Sequence, residues 1–280
     1  MGNQDAIHWQ PGDGPADPTI LAISDGHGSA ICFRSSTGAE LAAISAIRVL
    51  TQFTESFTDQ SPPQPSLVKR MAEEQLPKSL IIEWRGLVLA DCSNHAFTSR
   101  ELSTVDSHAG AGSAEKLESD PPLAYGATLL VVCITKTYLV CAQLGDGRIV
   151  AFSEHGYATQ MIPPDERNFA EETTSLCKKE AWQDVQTAFQ PVSEASPNLI
   201  LACTDGYYNS FKEDQGFLKV GGDILQILRS KGLEYVQYNL RQWLVQASRI
   251  GSGDDVTVGL LIREPDRYSR RPFFRRLLSP

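Results

Sequence analysis

Four short apolar runs in this chain each meet an aspartate at one end, and this arrangement constrains the fold more than any other feature. A glycine stands beside every one of these acids, which is typical of a turn. Apolar runs of this length are typical of buried β-strands. We therefore predict strands that gather carboxylates at one edge of a sheet. The runs and their acids are Ile20–Ser24 with Asp25, Tyr138–Leu144 with Asp146, Leu199–Thr204 with Asp205, and Val256–Ile262 with Asp254.

Helical spacing of apolar residues predicts three helical regions in the rest of the chain. They cover residues 37–57, residues 66–95 with a break near Pro77, and residues 221–250. Residues 98–121 are rich in Ser, Gly and Ala, so we predict an exposed connection in that stretch.

Apolar runs bounded by turn residues predict strands over residues 128–134 and 148–153, which join the run at 138–144 as an antiparallel meander. The residues that follow them, 155–183, are polar and irregular. Because a long loop in a compact domain is usually functional, we expect this loop to serve the site that the acids form.

The overall charge and hydropathy exclude several classes of protein. The chain of 280 residues carries a net charge of -9, which argues against a general binder of nucleic acid or anionic membrane, since both are polyanions. No apolar run approaches the ~20 residues of a membrane span, and no signal-peptide pattern opens the sequence. We therefore predict a cytoplasmic protein with neither nucleic acid nor membrane as a partner.

The cysteines give no sign of a metal or disulfide framework, because none of them forms a C-x-x-C pair. Three lie inside apolar runs, where a free cysteine behaves as a small hydrophobe. We predict reduced thiols, in preference to disulfides or zinc ligands. The six residues are Cys32, Cys92, Cys133, Cys141, Cys177 and Cys203.

The clustered aspartates favour a site for hard divalent cations. Carboxylate and carbonyl oxygens suit Mg²⁺ or Mn²⁺ better than Zn²⁺, which favours His and Cys. Two such ions ~4 Å apart can clamp a phosphate and lower the pKa of a bound water. His27, two residues after Asp25, is placed where it could protonate a leaving oxygen. Any single Asp-Gly pair is more often a plain turn, and a lone histidine more often a polar loop residue, so the hypothesis depends on the recurrence.

The same segments resemble the motifs of a known family in the same order. Ser24–Gly28 resembles the D-G-H-G motif of the metal-dependent protein phosphatases of the 2C type, and the resemblance extends over about residues 3–262. The other matching segments are Asn3–Asp5 (N-[EQ]-D, as in the bacterial members), Gly126–Thr128 (G-[ST]-T), Gly145–Arg148 (G-D-S-R), Cys203–Gly206 (S-D-G) and Gly253–Val258 (D-N-[IV]-T-V).

This resemblance implies an α+β fold, a four-layer α-β-β-α sandwich with two central antiparallel sheets. It implies a serine/threonine protein phosphatase that uses Mn²⁺ or Mg²⁺, in two sites and a weaker third, to hydrolyse phosphoserine and phosphothreonine through an activated water. Phosphorylated proteins would be its substrates, and a cognate kinase a further partner. The loop at 155–183 takes the place of the family's variable flap, which influences substrate choice.

The resemblance also assigns roles to individual residues. Asp25 would bridge two ions and act in catalysis, and His27 would be the general acid. The remaining ligands would be the Gly26 carbonyl for one ion, Asp205 and Asp254 for the other, Asp146 with Asp205 for the third, and Asp5 through water.

The sequence departs from the family pattern at several places, among them Ser29, which replaces a common Gly. The family has an arginine three residues before the Asn of its opening motif, where it contacts the substrate phosphate. In this chain that position, and the strand carrying it, would precede Met1. Asp255 stands where the family usually has Asn, which adds a negative charge near the ions.

We predict a catalytic domain over residues 1–262 and an Arg-rich tail over residues 263–280. A short basic end is usually a solvated, mobile terminus. The pairs Phe273-Phe274 and Leu277-Leu278 leave open a docking segment for an acidic partner.

Other phosphoryl chemistry fits the sequence less well. A cysteine phosphatase needs Cys-x5-Arg, and Cys141 and Arg148 are one residue too far apart. No Gly-rich loop ends in Gly-Lys-Ser/Thr, so a P-loop kinase or GTPase is unsupported. The alternative from another class is a catalytically weak, phosphatase-like domain that acts as a phosphoprotein-binding or regulatory module.

Overall fold

The computed structural model describes residues 2–12, 17–57, 62–163, 174–264 and 273–279, with the last of these ranges described by its backbone. Within these ranges, ten strands form two five-stranded sheets in which all neighbouring strands are antiparallel. In chain order the strands are β1 (Ala6–Gln10), β2 (Thr19–Ser24), β3 (Leu129–Ile134), β4 (Tyr138–Leu144), β5 (Arg148–Phe152), β6 (Ala158–Gln160), β7 (Gln186–Pro191), β8 (Leu199–Cys203), β9 (Val258–Glu264) and β10 (Phe273–Ser279).

The first sheet has the strand order β1-β2-β3-β4-β7 and the second has β10-β9-β8-β5-β6. Helices cover the outer face of each sheet: α1 packs on β1 and β2, and α7 packs on β5, β6 and β8. The helices are α1 (Ser35–Glu55), α2 (Pro65–Glu74), α3 (Leu76–Asn94), α4 (Ser99–Ala109), α5 (Ser113–Ser119), α6 (Asp205–Tyr208), α7 (Asp214–Lys231) and α8 (Leu233–Ile250). This arrangement confirms the predicted four-layer α+β sandwich.

Alternating side chains of the central strands serve two different cores. In β2, Ile20 and Ala22 pack against the helices of the first sheet, whereas Leu21 and Ile23 face the second sheet. Successive side chains of a strand point to opposite faces, so a strand that is apolar at every position must be covered on both sides. The continuous apolar runs of the sequence are explained by this double coverage.

The predicted meander is wrong at its last strand. β3 and β4 pair as expected, but β5 belongs to the other sheet, where it pairs with β6 and β8. The turn at 145–147 therefore carries the chain from one sheet to the other. Gly145 has a φ of 106°, a conformation that glycine adopts at little cost. A Cβ on Gly147 would lie 2.7 Å from the backbone oxygen of Cys203 on the other sheet.

Two helical regions differ from their predictions. The stretch at 98–121 forms α4 and α5 instead of an exposed connection, and Val105 and Leu117 bury their side chains in the core under the first sheet. The helical region predicted at 221–250 begins earlier, at Asp214, and consists of two helices, which separate at Gly232 with its φ of 85°. The predicted break near Pro77 is confirmed, since α2 ends at Glu74 and α3 begins at Leu76.

The two ends of the chain contain strands that the sequence did not indicate. β1 lies in the opening segment and pairs with β2, and the backbone of β10 pairs with β9 along the edge of the second sheet. Residues 273–279 therefore form a paired strand, where we predicted a mobile terminus.

The centre of the predicted functional loop, 164–173, lies outside the described residues, as do 265–272 of the tail. The division into a domain and a tail stays a prediction. None of the helices in the described ranges is long and apolar enough to cross a membrane.

Candidate functional site

The acids that the sequence singled out lie where strand ends of the two sheets meet. Asp5 precedes β1 and Asp25 follows β2, and the register of these strands pairs Ala6 with Ser24. In the second sheet Asp205 follows β8 and Asp254 precedes β9. The register of these two strands pairs Cys203 with Val258. Because neighbouring strands are antiparallel, the end of one and the start of the next lie at the same edge.

Asp25 is held through its backbone, which leaves its carboxylate to face the other acids. Its N–H donates to Thr128 Oγ1 at 3.0 Å, and its carbonyl accepts the Thr128 N–H at 2.8 Å. Ser24 Oγ donates to the Thr128 carbonyl at 2.6 Å. The next residue, Gly26, forms a β-bridge with Ala127. These contacts fix the end of β2 against the start of β3.

Gly26 is a glycine because the backbone of α1 approaches it closely. A Cβ at this position would lie 2.7 Å from the carbonyl oxygen of Ser35 and 2.9 Å from that of Gln4. Any side chain would therefore push the start of α1 away from the site.

Two threonines that the sequence analysis missed connect the acids of the two sheets. Thr204 Oγ1 donates to Asp5 Oδ2 at 2.9 Å and accepts the N–H of Thr257 at 3.0 Å. The backbones of the same two threonines are also joined, from Thr204 N–H to the Thr257 carbonyl at 3.1 Å. Each threonine is adjacent in sequence to a segment with a candidate acid, which is the signal that could have indicated them.

Asp255, which stands where the resemblance predicts Asn, acts as an acceptor. Its Oδ2 accepts the N–H of Gln4 at 2.8 Å, and Gln4 Nε2 donates in turn to Ser35 Oγ at 2.6 Å. The carboxylate thus ties the segment before β1 to the segment before β9. It also raises the pKa of Asp5, so the extra negative charge acts on the cluster.

The electrostatics show that the carboxylates are close enough to oppose one another's ionisation. Burial, and then the charges of Asp5 and Asp205, raise the pKa of Asp25 to about 10. Burial raises the pKa of Asp5 to about 6. The pKa of Asp205 is raised by burial and by Asp146 and Asp254. Like charges gathered in a partly desolvated place disfavour ionisation. The structure therefore brings all five predicted acids into one electrostatic cluster.

His27 lies beside this cluster. Its backbone N–H donates to the Gly126 carbonyl at 3.0 Å, and its Nε2 is buried without a hydrogen-bond partner. Burial lowers the pKa of the imidazole, Asp146 opposes that effect, and Lys178 adds to it. A buried polar atom without a partner is uncommon in folded proteins, and here it marks a side chain available to a ligand.

The residues fit a hard divalent cation in their chemistry. The donors are carboxylate oxygens, whose raised pKa values reflect charge that a cation would neutralise, and Asp5 Oδ1 is a buried oxygen without a hydrogen-bond partner. Within the part of the chain that the structure describes, no three His, Cys, Asp or Glu side chains already form a shell around one position. Asp205 Oδ2 accepts from Asn209 Nδ2 at 3.2 Å, and Asp254 Oδ1 accepts from the Asp255 N–H at 2.8 Å. These local contacts occupy two of the expected ligands.

Comparison with known proteins identifies the family. The model of the protein phosphatase 2C family matches residues 1–245. Comparison with curated proteins gives no match. Among solved structures, a bacterial serine phosphatase is similar with a TM-score of 0.57 and 15% identity, over 96% of this chain and 94% of that one. A C. elegans sex determining protein has a TM-score of 0.55 and 18% identity, over 93% of this chain and 61% of that one.

The serine/threonine phosphatase Stp1 from Staphylococcus aureus has a TM-score of 0.50 and 15% identity, over 95% of this chain and 91% of that one. At these identities the structural likeness shows a shared fold. The family match extends over most of the chain and includes the segments that carry four of the five clustered acids, at Asp5, Asp25, Asp146 and Asp205. On this match the chain belongs to the protein phosphatase 2C family and is a protein phosphatase.

Proposed function

We propose that the chain is a metal-dependent serine/threonine protein phosphatase whose active site is the acid cluster at the sheet edge. The observation that carries this proposal is the convergence of Asp25, Asp5 and Asp205, whose pKa values are all raised by burial and by neighbouring acids, beside a buried His27 Nε2 without a hydrogen-bond partner. Such a cluster of carboxylates destabilises the folded protein unless a cation binds to it. Perturbed carboxylates of this kind concentrate at functional sites.

Mn²⁺ or Mg²⁺ would be held by the acids in the arrangement that the family resemblance implies. Asp25, the Gly26 carbonyl, Asp205 and Asp254 would be their direct ligands. Asp146 with Asp205 would hold a weaker third ion, and Asp5 would act through water. Bound there, such ions would neutralise the substrate phosphate and lower the pKa of a water molecule.

His27 is the residue of this chain that would protonate the leaving alkoxide. Its Nε2 is buried in the site without a hydrogen-bond partner. Burial lowers the pKa of the imidazole, and Asp146 opposes that effect by favouring the imidazolium form. The leaving group of phosphoserine or phosphothreonine is a poor one, so proton donation to its oxygen matters in the transition state. Thr204 and Thr257 support the site by holding Asp5 in place.

The similar bacterial structures are serine or serine/threonine phosphatases, which supports phosphoserine and phosphothreonine proteins as the substrates. A kinase that phosphorylates the same proteins would be a functional partner. Reduced cysteines are typical of the cytoplasm, and the six thiols of this chain are free. We therefore propose a cytoplasmic enzyme of phosphorylation signalling.

The test is hydrolysis of p-nitrophenyl phosphate and of matched phosphoserine, phosphothreonine and phosphotyrosine peptides, with Mn²⁺ and then with EDTA. We expect activity that requires Mn²⁺ and is higher on phosphoserine and phosphothreonine than on phosphotyrosine. Equal rates in EDTA would contradict the metal dependence. A preference for phosphotyrosine would contradict the proposed specificity.

A second function is favoured by one observation, the absence among the described residues of a ready three-residue metal shell. A domain of this kind would bind phosphoproteins without fast turnover. It would show affinity for a phosphoserine peptide in calorimetry and negligible hydrolysis at saturating Mn²⁺. The two measurements together separate an enzyme from a binding module.

A further inference from the structure

Two buried thiols and the candidate acid His27 meet around one glycine. The position that a Cβ on Gly126 would take lies 2.7 Å from Cys32 Sγ, 3.0 Å from His27 Cδ2 and 3.4 Å from Cys177 Sγ. The distance between the two sulfur atoms therefore cannot exceed the sum of the distances from this position to Cys32 Sγ and to Cys177 Sγ. Both cysteines are free, and their side chains are 6% and 7% exposed.

The two thiols belong to separate segments that are each anchored to the residues just before β3. Leu176 N–H donates to the Ala127 carbonyl at 3.0 Å, which places Cys177 against this stretch of backbone. Cys32 Sγ lies 3.3 Å from the Leu123 carbonyl, to which it donates, and Arg34 N–H donates to the Ala124 carbonyl at 2.8 Å. Both thiols thus lie against the same fixed piece of backbone, and the missing side chain of Gly126 leaves room for both.

We propose that Cys32 and Cys177 form an oxidation site at which a hydroperoxide closes a disulfide and thereby switches off the phosphatase. The cross-link follows from the positions of the thiols. Its effect on catalysis rests on the proposed function, because it acts through His27.

The chemistry balances with one hydroperoxide per pair of thiols. The Cys177 thiolate attacks the peroxide, the O–O bond breaks, and the departing oxygen takes a proton and leaves as water or an alcohol, which gives a sulfenic acid. The Cys32 thiolate then attacks that sulfur, the S–O bond breaks, and hydroxide leaves with a proton as water. Two thiols are oxidised and one peroxide is reduced. The roles of the two thiols can be exchanged, because Ser175 Oγ lies 3.2 Å from Cys177 Sγ and a hydrogen bond from Ser29 opposes the burial that raises the pKa of Cys32.

Burial sets the rate of this reaction. Burial raises the pKa of both thiols, so little thiolate is present at neutral pH. We expect the disulfide to form over minutes to hours in excess peroxide. An exposed thiol with a low pKa would react sooner.

The disulfide would change the surroundings of His27. A bond of ~2.05 Å between the sulfurs draws Cys32, five residues after His27, towards the segment that contains Cys177. His27 Cδ2 and the two sulfur atoms all lie within 3.4 Å of the position that a Cβ on Gly126 would take. Closing the bond therefore shifts the imidazole or fixes it away from the leaving oxygen.

The experiment treats the metal-free, reduced full-length chain with hydrogen peroxide, removes the peroxide with catalase, and adds Mn²⁺ only for the assay. We expect intact mass to fall by about 2 Da for the disulfide and a peptide map to join Cys32 to Cys177. Hydrolysis of a phosphoserine peptide should fall by at least about tenfold, as expected for a displaced general acid. A dithiol reductant should restore both readouts.

Single variants separate this pair from the other cysteines. Cys32→Ala and Cys177→Ala should neither cross-link nor lose activity after peroxide, whereas Cys92→Ala, at a partly exposed thiol on α3, should behave as the parent protein does. Phenylarsine oxide, which bridges two close thiols, gives a second probe on the parent chain, and its adduct should map to the same pair. This probe decides the question even where an alanine variant fails to fold.

Three outcomes would overturn the proposal. The first is a map in which oxidation joins other cysteines or stops at single oxidised thiols. The second is failure of phenylarsine oxide to bridge the pair. The third is a complete Cys32–Cys177 cross-link with unchanged activity, which would show that the disulfide does not switch off the phosphatase. An inactive reduced protein that still forms the cross-link would instead contradict the proposed function and leave the thiol pair intact.

Discussion

The space between the two sheets and the edge at which they end are built in opposite ways from the same strands. Between the sheets, side chains such as Leu139, Ile149 and Leu261 are at most 2% exposed and form one apolar core. At the edge, Asp25 and Asp205 follow the ends of two of these strands, and burial together with neighbouring acids raises the pKa of both carboxyls.

The difference separates stability from function. Burying apolar surface stabilises the fold by ~25 cal/mol per Å², whereas clustering partly buried carboxylates costs free energy. The stability that the apolar interior provides can therefore offset the cost of the acid cluster at the edge. Divalent cations bound there would neutralise the charge of the cluster. Substitutions in the two regions should have separable effects, and the predictions below test that separation.

The largest effect is expected for Asp205→Asn and Asp254→Asn at the edge. Each removes a charged candidate ligand while keeping the size of the side chain, so kcat/KM at saturating Mn²⁺ should fall by about 10³, or about 4 kcal/mol. The matched control is Asp223→Asn, on an exposed position of α7, which should keep its activity. Near-normal rates in either edge variant would count heavily against the assigned site.

In the interior, Leu139→Ala should destabilise the protein without changing its chemistry. Leu139 is 2% exposed and packs between the sheets, at the end of β4 remote from the acids. Truncation of such a residue costs about 2–5 kcal/mol through lost burial and a cavity. Urea unfolding should show this loss, while kcat per folded molecule stays the same. Ile82→Ala, at a position 71% exposed, is the control and should change neither. A large fall in kcat for Leu139→Ala would break the separation of the two regions.

His27→Ala should slow hydrolysis of phosphoserine peptides by about 10² and that of p-nitrophenyl phosphate much less, since a phenolate needs little protonation to leave. Because burial lowers the pKa of His27, its protonated fraction falls as pH rises above that lowered value. The peptide rate of the parent protein should therefore decline with pH through this range, and the variant should lack the decline. His8→Ala is the control. Equal losses on both substrates would contradict the general-acid role.

The smallest effect is a gain of stability in the metal-free protein on Asp25→Asn. Burial and neighbouring acids raise the pKa of Asp25 to about 10, above an unfolded value of ~3.9. When folding raises the pKa of an acid, the contribution of that acid to stability is complete below its pKa in the unfolded chain. This contribution is lost as pH rises towards its pKa in the folded protein. In EDTA the variant and parent should melt alike near pH 4, and the variant should melt at least about 4 °C higher near pH 9.

Mn²⁺ should raise the melting temperature of the parent more than that of the Asp25→Asn variant. A variant that is no more stable than the parent at pH 9 in EDTA would show that the acid cluster imposes no strain on the fold.

The strands that carry the acids were predictable because double burial leaves a continuous apolar run in the sequence. β2, β4 and β8 all show this run followed at once, or after one glycine or threonine, by an aspartate. β1 gave no such signal, since it is an edge strand whose side chains are mostly half-buried or exposed. α4 was missed for a similar reason, although Thr98 and Glu101 form the capping box that marks its start.

The sheet switch at the turn after β4 could not be read from local sequence. Asp-Gly turns commonly join hairpins, and only the close approach of Gly147 to Cys203 shows that this turn crosses to the second sheet. The same holds for the contact of Thr204 with Asp5, which are far apart in sequence and meet through tertiary packing. Patterns of burial are local, whereas the assembly of a site from several strands depends on topology.

The most direct test of the metal-binding edge is titration of Mn²⁺ into the metal-free protein, followed by the electron paramagnetic resonance of free Mn²⁺. Two or more ions should bind to the parent chain and to Asp223→Asn, and fewer and more weakly to Asp205→Asn. Binding by the parent that Asp205→Asn retains in full would place the ions elsewhere. No binding by the parent at millimolar Mn²⁺ would contradict a metal centre at this edge altogether.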